Sequence, residues 1–258
     1  MSVRIASTPR VFTRADGRDR VAIPFWNGIL SALAAIAIGF AVALVIGIVL
    51  TIAVVLATGN TPSVTPGHPF TATIELVMYA AGGWFAWWRL RKAGRNPFRP
   101  LHAHEIRTVM IGVAVLVLVR IGTGVQLLLT NQTKHVQAGF EHFDVVTHAP
   151  TITAIGVSLG VMSMVMLAPI VEETIFRGLL FGALVQRLGV LASALITALI
   201  FGAVHGDPIL FPTLAALGFV AALAYAATGN LWVPITLHAL NNALGAISLV
   251  GASLKHHA

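Results

Sequence analysis

Long apolar segments are the feature that most constrains the fold of this chain. A helix needs roughly 20 apolar residues to cross about 30 Å of hydrocarbon. Inside a bilayer, only helices and closed barrels satisfy every backbone hydrogen bond, and apolar runs of this length are typical of helices. The runs that we interpret as spans lie at 26–57, 71–90, 108–130, 152–186, 190–206, 209–228 and 231–252. The pattern predicts an all-α, polytopic helical membrane protein.

The lengths of these runs set the expected number of crossings. The runs 26–57 and 152–186 are longer than one crossing requires, so tilt, extension beyond the bilayer or a break must absorb the excess. Pro169 lies inside the second of them and favours a kink or a break there, because proline has no N–H to donate. The run 190–206 is short for a full crossing. We therefore expect seven or eight transmembrane helices.

Composition supports a membrane protein and limits its chemistry. The 258 residues are 57% hydrophobic and 10% charged, with a mean hydropathy of +0.88. Such a chain has too little polar surface to cover a soluble globule of this size. It contains no cysteine, which excludes disulfides, cysteine zinc sites and thiol nucleophiles. Any nucleophile must be a hydroxyl, a carboxylate or water.

The distribution of positive charge predicts the topology. The net charge is +7, and most of the 16 lysines and arginines lie in the N-terminal tail or in the segment 89–107. The positive-inside rule places both in the cytoplasm and the loop 59–70 outside, with 131–150 as a further external loop. The first apolar run is far longer than a signal-peptide core, so we interpret it as a retained span. We expect a multi-pass protein of the cell (inner) membrane with a cytoplasmic N-terminus, whose partner is the lipid bilayer and not a nucleic acid.

Polar residues inside the apolar runs mark the candidate functional region. Ionisable groups at membrane depth are costly, so they usually face a protein interior or a wet cavity and serve a function. Their concentration after residue 150 divides the chain into a basic cytoplasmic tail at 1–25, an N-terminal transmembrane region at 26–150, a candidate catalytic core at 151–252 and a short tail at 253–258. These polar residues are Glu172, Glu173, Arg177, His205, His238 and Asn242.

The two glutamates have different expected roles. Positions four apart share a helical face, so Glu173 can pair with Arg177, in the favourable order of acid before base. Glu172 is turned about 100° away and stays free. A carboxylate partly desolvated in a membrane cavity is a competent general base for water. The alternative is a Glu/Arg cluster at a cytoplasmic helix end.

Two further pairs complete the candidate site. Phe201 and His205 share a face, and a neutral imidazole at His205 can hold or polarise the same water; a lone histidine would more often serve packing. His238 and Asn242 are also four apart and offer N–H donors suited to a developing oxyanion. Interhelical hydrogen bonding is the alternative for this pair, and we expect Asn241 to point elsewhere and serve packing.

The expected depths of the four candidate residues in the membrane are consistent with a single site. If the chain meets the cytoplasmic face near 186–189 and 229–231, Glu172 and His205 each lie about 20 Å from that face and His238 and Asn242 lie about 12–18 Å from it. This agreement requires the helix around Glu172 to continue to about residue 186. An interfacial helix over 171–187 would remove it.

These motifs resemble one known family. The sequences PIVEETIFRG at 169–178, FGAVH at 201–205 and HALNN at 238–242 are similar to those of the CAAX protease and bacteriocin-processing (CPBP, also called Abi) family, related to the type II CAAX prenyl endopeptidases. The resemblance covers roughly residues 150–252. It implies that Glu172 and His205 activate water, that Glu173 and Arg177 support them, and that His238 and Asn242 form the oxyanion site.

A metal site is an open alternative. Glu172, His205 and His238 could bind zinc and leave a position for water. The sequence contains no His-Glu-x-x-His helix, and the family resemblance implies a metal-free glutamate mechanism, so we favour a site without a cofactor.

Together these patterns predict an intramembrane endopeptidase acting on peptide or membrane-protein substrates. The alternative is a non-catalytic membrane scaffold or a bacteriocin self-immunity protein, and a transporter is a third interpretation of the buried charges.

Arg120, near the middle of the third span, needs a partner. Glu75 and the glutamate cluster are candidates, and support of helix packing is the default role.

Overall fold

The described part of the molecule is helical throughout its regular structure. The computed structural model describes residues 23–63, 68–94, 96–132 and 150–256, and these residues contain no strand. This confirms the predicted all-α class. The α-helices are α1 Phe25–Thr58, α2 Pro69–Lys92, α3 Ala103–Leu129, α4 Pro150–Met162, α5 Ala168–Glu173, α6 Gly182–Val204, α7 Phe211–Thr228 and α8 Trp232–His256, with π-helical segments at Ser163–Leu167 and Thr174–Phe181.

Four helical stretches of the described chain are long and apolar enough to cross a membrane. They are Phe25–Thr58, Ala103–Leu129, Ser158–Val204 and Phe211–Thr228. Helices α2 and α8, with 24 and 25 residues, have spanning length but a more polar composition. These stretches agree with a polytopic membrane protein. The total of seven or eight crossings is not confirmed by this count and stays a prediction.

The longest helical stretch continues through Pro169 and is interrupted at Gly189, between the predicted runs 152–186 and 190–206. Pro169 lies in α5, directly after the π-helical segment Ser163–Leu167, and the chain stays helical through it. A π-helical turn is a common way to accommodate an interruption of the regular hydrogen bonds. The backbone leaves helical geometry at Gly189, with φ 75° and ψ 176°. The predicted break at Pro169 is therefore wrong, and the helix continues past Gln186, as the depth argument requires.

Small residues bring neighbouring helices close together. A Cβ atom added to Gly82 on α2 would lie 2.8 Å from the carbonyl oxygen of Ala35 on α1. One added to Gly218 on α7 would lie 3.0 Å from the Cα of Ala198 on α6. Close backbone approach through small residues is how transmembrane helices gain packing contacts, because lipid offers no hydrophobic driving force between them.

A polar face of α3 connects the N-terminal helices to the C-terminal half. Arg120 contacts Asn241 on α8, Thr123 hydrogen-bonds Thr213 on α7, and the Gln126 side chain donates to the carbonyl oxygen of Ile209. Residues spaced three apart share a helical face. Arg120 therefore binds Asn241 and neither of its candidate partners, Glu75 and the glutamate cluster.

The segments predicted to be cytoplasmic gather at one end of the bundle. Gln186 donates to the carbonyl oxygen of Ile23, and Arg99 donates to the carbonyl oxygen of Thr228 at 2.8 Å. The orientation of this end in the membrane and the domain boundaries stay predictions. Most of the predicted tail 1–25, nearly all of the predicted loop 131–150 and the last two residues lie outside the described residues.

Candidate active site

A buried ion pair forms the base of the candidate site. Glu173 ends α5, and Arg177 lies in the π-helical segment Thr174–Phe181; both side chains are 0% exposed. Arg177 Nη1 lies 3.0 Å from Glu173 Oε1. The pair predicted from the spacing is present. Because no water reaches it, each charge depends on the other to offset its desolvation.

Arg177 also fixes the neighbouring helix. Its Nη2 donates to the carbonyl oxygen of Gly218 on α7 at 2.8 Å, and its guanidinium carbon lies 4.9 Å from the centroid of the Phe201 ring. The flat guanidinium can make both contacts together with the ion pair, which the point charge of lysine cannot. The π-helical segment, α6 and α7 are thus tied to one cation.

His238 connects the ion pair to the second glutamate. Its Nδ1 lies 3.0 Å from Glu173 Oε1, and its Nε2 lies 4.0 Å from Glu172 Oε2. The Glu173 carboxylate, ionised opposite Arg177, can only accept hydrogen bonds, so Nδ1 of His238 is the donor. Nε2 then carries a lone pair in the neutral ring, and a proton in the cationic ring. The α8 imidazole therefore presents Nε2 toward Glu172.

Glu172 is the accessible carboxylate of the pair. Its side chain is 18% exposed, whereas that of Glu173 is fully buried. Tyr79 on α2 donates its hydroxyl to Glu172 Oε1 at 3.1 Å. Glu172 Oε2 is buried and accepts no hydrogen bond from the described residues. One oxygen is therefore held and the other is unpaired, as expected of a group that acts on a ligand.

His205 occupies the end of α6 beside the cluster. Its Nδ1 lies 2.6 Å from the carbonyl oxygen of Phe201, an acceptor, so Nδ1 donates and Nε2 of the neutral ring is the acceptor. The buried Phe201 ring lies 4.7 Å from the His205 ring and 5.5 Å from the His238 ring. Phe201 thus spaces the two imidazoles. The described hydrogen bonds and ion pairs link Glu172 to His238, and none links it to His205.

Asn242 lies next to the cluster and not inside it. Its Nδ2 donates to the carbonyl oxygen of Met164 at 2.9 Å, and its Oδ1 accepts from Asn241 Nδ2 at 3.2 Å. It follows His238 by one helical turn, so the two side chains share a face of α8. Asn241, predicted to serve packing, also binds Arg120. The structure thus joins Glu172, Glu173, Arg177 and His238 in one network and places Asn242 in a second, while His205 binds the Phe201 carbonyl.

Tyr79 is the site residue that the sequence analysis missed. It sits about 20 Å from the cytoplasmic end of α2 at 1.5 Å per residue, at the depth predicted for Glu172. The usable signal was a second polar residue, Glu75, one turn earlier in the same apolar run, since paired polar residues in a span usually face another helix or a cavity.

The described side chains do not form a metal site. Across residues 23–63, 68–94, 96–132 and 150–256, no group of three histidine or carboxylate side chains is placed to hold a metal ion. Glu172, His205 and His238 therefore do not fit a three-ligand zinc site in these positions. The absence of a cofactor remains a prediction that a chelator can test.

Comparisons with known proteins agree with the resemblance. Residues 154–244 match the sequence model of the family described as type II CAAX prenyl endopeptidase Rce1-like, which confirms the family resemblance predicted from the motifs. The matched region contains every predicted site residue.

Two curated proteins are similar over the same part of the chain. One is the candidate membrane peptidase YdiL of Bacillus subtilis, 41% identical over 91 residues, which are 35% of this chain and 36% of that protein. The other is the membrane-embedded CAAX protease MroQ of Staphylococcus aureus, 32% identical over 82 residues, which are 30% of this chain and 33% of that protein. The alignments span about a third of the length of these curated relatives. No solved structure matches.

Proposed function

We propose that this chain is an intramembrane endopeptidase that hydrolyses peptide bonds with an activated water. The observation that carries the proposal is the chain of contacts from Arg177 through Glu173 and His238 to Glu172, which ends at an unpaired carboxylate oxygen. The match of residues 154–244 to a prenyl endopeptidase family agrees with this chemistry.

Glu172 acts as the general base. Its Oε2 takes a proton from water as the water oxygen attacks the peptide carbonyl, and the tetrahedral intermediate then collapses. The C–N bond breaks, and the proton held by Glu172 passes to the leaving amine, so the carboxylate is regenerated. Tyr79 occupies Oε1, which leaves Oε2 as the oxygen that takes the proton. Such proton transfer contributes roughly 10²–10⁴-fold to the rate.

His205 positions the water. Because its Nδ1 donates to the Phe201 carbonyl oxygen, Nε2 of the neutral ring can accept a hydrogen bond from the water. This orients one water hydrogen away from Glu172 and leaves the other for transfer to Oε2.

Asn242 and His238 stabilise the oxyanion. An asparagine side-chain nitrogen has two hydrogens, and one is used by the Met164 carbonyl oxygen, so the second can bind the oxyanion. His238 donates from Nε2 only when its ring carries both protons, because Nδ1 is already bound to Glu173.

The substrates are peptides or membrane-protein segments that reach the site from the bilayer or the cytoplasm. The site lies on apolar helices, at the depth where a substrate must be embedded in the membrane or enter a wet cavity. We place the protein in the cell (inner) membrane, with a cytoplasmic N-terminus, and propose a mechanism without metal.

Cleavage of a diverse peptide pool by the protein in nanodiscs, read by mass spectrometry, tests the proposal. Glu172→Gln removes the base with little change of shape, and Glu75→Gln is the matched control for loss of a membrane carboxylate. We expect Glu172→Gln to lose about 10²–10⁴-fold in rate and Glu75→Gln to keep it. A chelator should have no effect. Full activity in Glu172→Gln would remove Glu172 as the base, and loss with the chelator would make zinc part of the site.

A further inference from the structure

A series of hydrogen bonds begins at Arg120, outside the glutamate cluster, and runs through Asn241 and Asn242 to the Met164 carbonyl oxygen. Arg120 on α3 donates from Nε to Asn241 Oδ1 at 3.0 Å and from Nη2 to the Asn241 carbonyl oxygen at 2.7 Å. Asn241 Nδ2 in turn lies 3.2 Å from Asn242 Oδ1. An arginine charge in a membrane segment needs partners, and here both are groups of one asparagine.

This series of hydrogen bonds ends at the Met164 carbonyl oxygen, which has no backbone N–H partner within its own helix. In a π-helical turn each N–H bonds to the carbonyl five residues earlier, and Ala168 N–H donates to Ser163 in this way. The next donor in that register would be residue 169, which is proline and has no N–H. The Met164 carbonyl oxygen accepts from Asn242 Nδ2 instead, at 2.9 Å.

Arg120 at one end and the Met164 carbonyl oxygen at the other determine which group donates in each hydrogen bond between them. Arginine can only donate and a carbonyl can only accept. Asn241 must therefore turn its oxygen to Arg120 and its nitrogen to Asn242. Asn242 must turn its oxygen to Asn241 and its nitrogen to Met164. Reversing either amide would set two donors or two acceptors against each other, so one orientation of the Asn242 amide is favoured.

We propose that Arg120 is a positioning residue that acts through Asn241 to hold the Asn242 nitrogen toward the site. The consequence rests on the proposed function, in which the second N–H of Asn242 binds the oxyanion. Arg120 touches neither the substrate nor the reacting water. Its role is to prevent the amide from turning its oxygen toward the developing negative charge.

Two variants separate positioning from structural support. Arg120→Met removes the donor that sets the sense of the chain. Asn241→Asp keeps the shape and pairs with Arg120, yet cannot donate to Asn242, so it should fold as well as wild type. Gln126→Leu is the matched control, because it breaks another α3 hydrogen bond, to Ile209, that does not reach Asn242.

The kinetic expectation is a fall in kcat with little change in KM. Loss of an oxyanion donor costs about 10²–10³ in kcat, which bounds the effect of misorienting Asn242. We expect Arg120→Met and Asn241→Asp to lose about tenfold or more, within that bound, and Gln126→Leu to keep wild-type kcat. In an Asn242→Ala background, Arg120→Met should cause no further loss. An equal loss in both backgrounds, or wild-type kcat in Asn241→Asp, would overturn the proposal.

A readout without substrate keeps this test separate from that of the proposed function. In protein labelled with ¹⁵N-asparagine, the Asn242 side-chain amide signal is assigned by its loss in Asn242→Ala. It should shift in Arg120→Met and Asn241→Asp and stay in place in Gln126→Leu. If the wild type cleaves no peptide, the proposed function fails while this signal still decides the positioning role; an unmoved signal in both variants refutes it.

Discussion

Two Glu–Arg pairs of this molecule, Glu105–Arg99 and Glu173–Arg177, differ in the partners of their carboxylate oxygens. Near the start of α3, Glu105 Oε1 lies 2.6 Å from Arg99 Nη2 in an ion pair without hydrogen-bond alignment, and Oε2 accepts from His102 N at 2.9 Å and from Asn230 Nδ2 at 3.3 Å. Each oxygen therefore has a close cationic or N–H partner. In the candidate active site, Glu173 Oε2 and Glu172 Oε2 are buried and accept no hydrogen bond among the described residues.

The difference separates a structural from a functional use of buried charge. The Glu105 pair joins the segment before α3 to the loop between α7 and α8, where Arg99 also donates to the Thr228 carbonyl oxygen. Close partners on both Glu105 oxygens stabilise one geometry. In the Glu172 cluster two buried carboxylate oxygens lack such close partners, and the Glu172 side chain that carries one of them is 18% exposed and lies beside His238. A carboxylate oxygen inside the membrane that lacks a hydrogen-bond partner is a better indication of a catalytic role than a buried charge alone.

The largest effect is expected from removing the cation shared by the active-site contacts. Arg177→Ala leaves the Glu173 charge buried without its partner and should lower the free energy of unfolding by about 3–5 kcal/mol. Cleavage should be lost as well, because Glu173, the acceptor for His238 Nδ1, loses the cation that holds it in place. Thermal unfolding in detergent and the peptide assay measure both. Arg187→Ala, at an exposed arginine, is the control; an Arg177 variant as stable as this control would contradict the role.

The Glu105 pair should show a smaller stability loss without a catalytic one. Glu105→Ala removes the acceptor of His102 N and Asn230 Nδ2 but leaves Arg99 partly exposed, so it should lower the free energy of unfolding by about 1–3 kcal/mol. The cleavage rate per folded molecule should stay close to wild type. His104→Ala, at the exposed neighbouring residue, should change neither quantity. A rate per folded molecule that falls as far as in the Arg177 variant would abolish the distinction between the two pairs.

Tyr79 donates a hydrogen bond to one oxygen of Glu172, the proposed base, and has no counterpart at Glu105 among the described contacts. Tyr79→Phe keeps the ring and removes the hydroxyl that donates to Glu172. Hydrogen bonds to charged groups contribute about 1.5–3 kcal/mol, so kcat should fall by about tenfold or more. Stability should change little. Tyr225→Phe, at the other tyrosine of the chain, serves as the matched control and should keep full kcat.

The smallest effect is expected at the α3–α7 contact. Thr123→Val removes the hydroxyl that meets Thr213 and keeps the shape of the side chain. Interhelical hydrogen bonds in membranes average about 0.6 kcal/mol, so the unfolding temperature should fall slightly and the cleavage rate should not change. A large loss of cleavage would show that α3 acts on the site through more than Arg120.

Local patterns in the sequence predicted the helices and the contacts within them. The Glu173–Arg177 pair follows from a spacing of four on one helix, and the shared face of His238 and Asn242 follows in the same way. The break at Gly189 lies between the predicted runs 152–186 and 190–206. The continuity of the helix through Pro169 follows a π-helical segment, which hydrophobic periodicity does not reveal.

Contacts between distant segments could not be predicted in the same way. Helical periodicity predicts which face of its helix Tyr79 or Arg120 occupies, but it does not predict which other helix packs against that face. Tyr79 reaches Glu172 from α2, and Arg120 selects Asn241 on α8 over either glutamate candidate. Helix packing in lipid depends on where small residues permit close approach, as at Gly82 and Gly218, so partners follow from the whole bundle.

The most direct test compares the two kinds of buried glutamate in one assay. Cleavage rates per folded molecule are measured in nanodiscs for wild type, Glu172→Gln and Glu105→Gln, with the folded fraction determined for each. Our account predicts a loss of about 10²–10⁴-fold for Glu172→Gln and a near wild-type rate for folded Glu105→Gln. Equal rates for the two folded variants would contradict the claim that the unpaired carboxylate of Glu172 performs the chemistry.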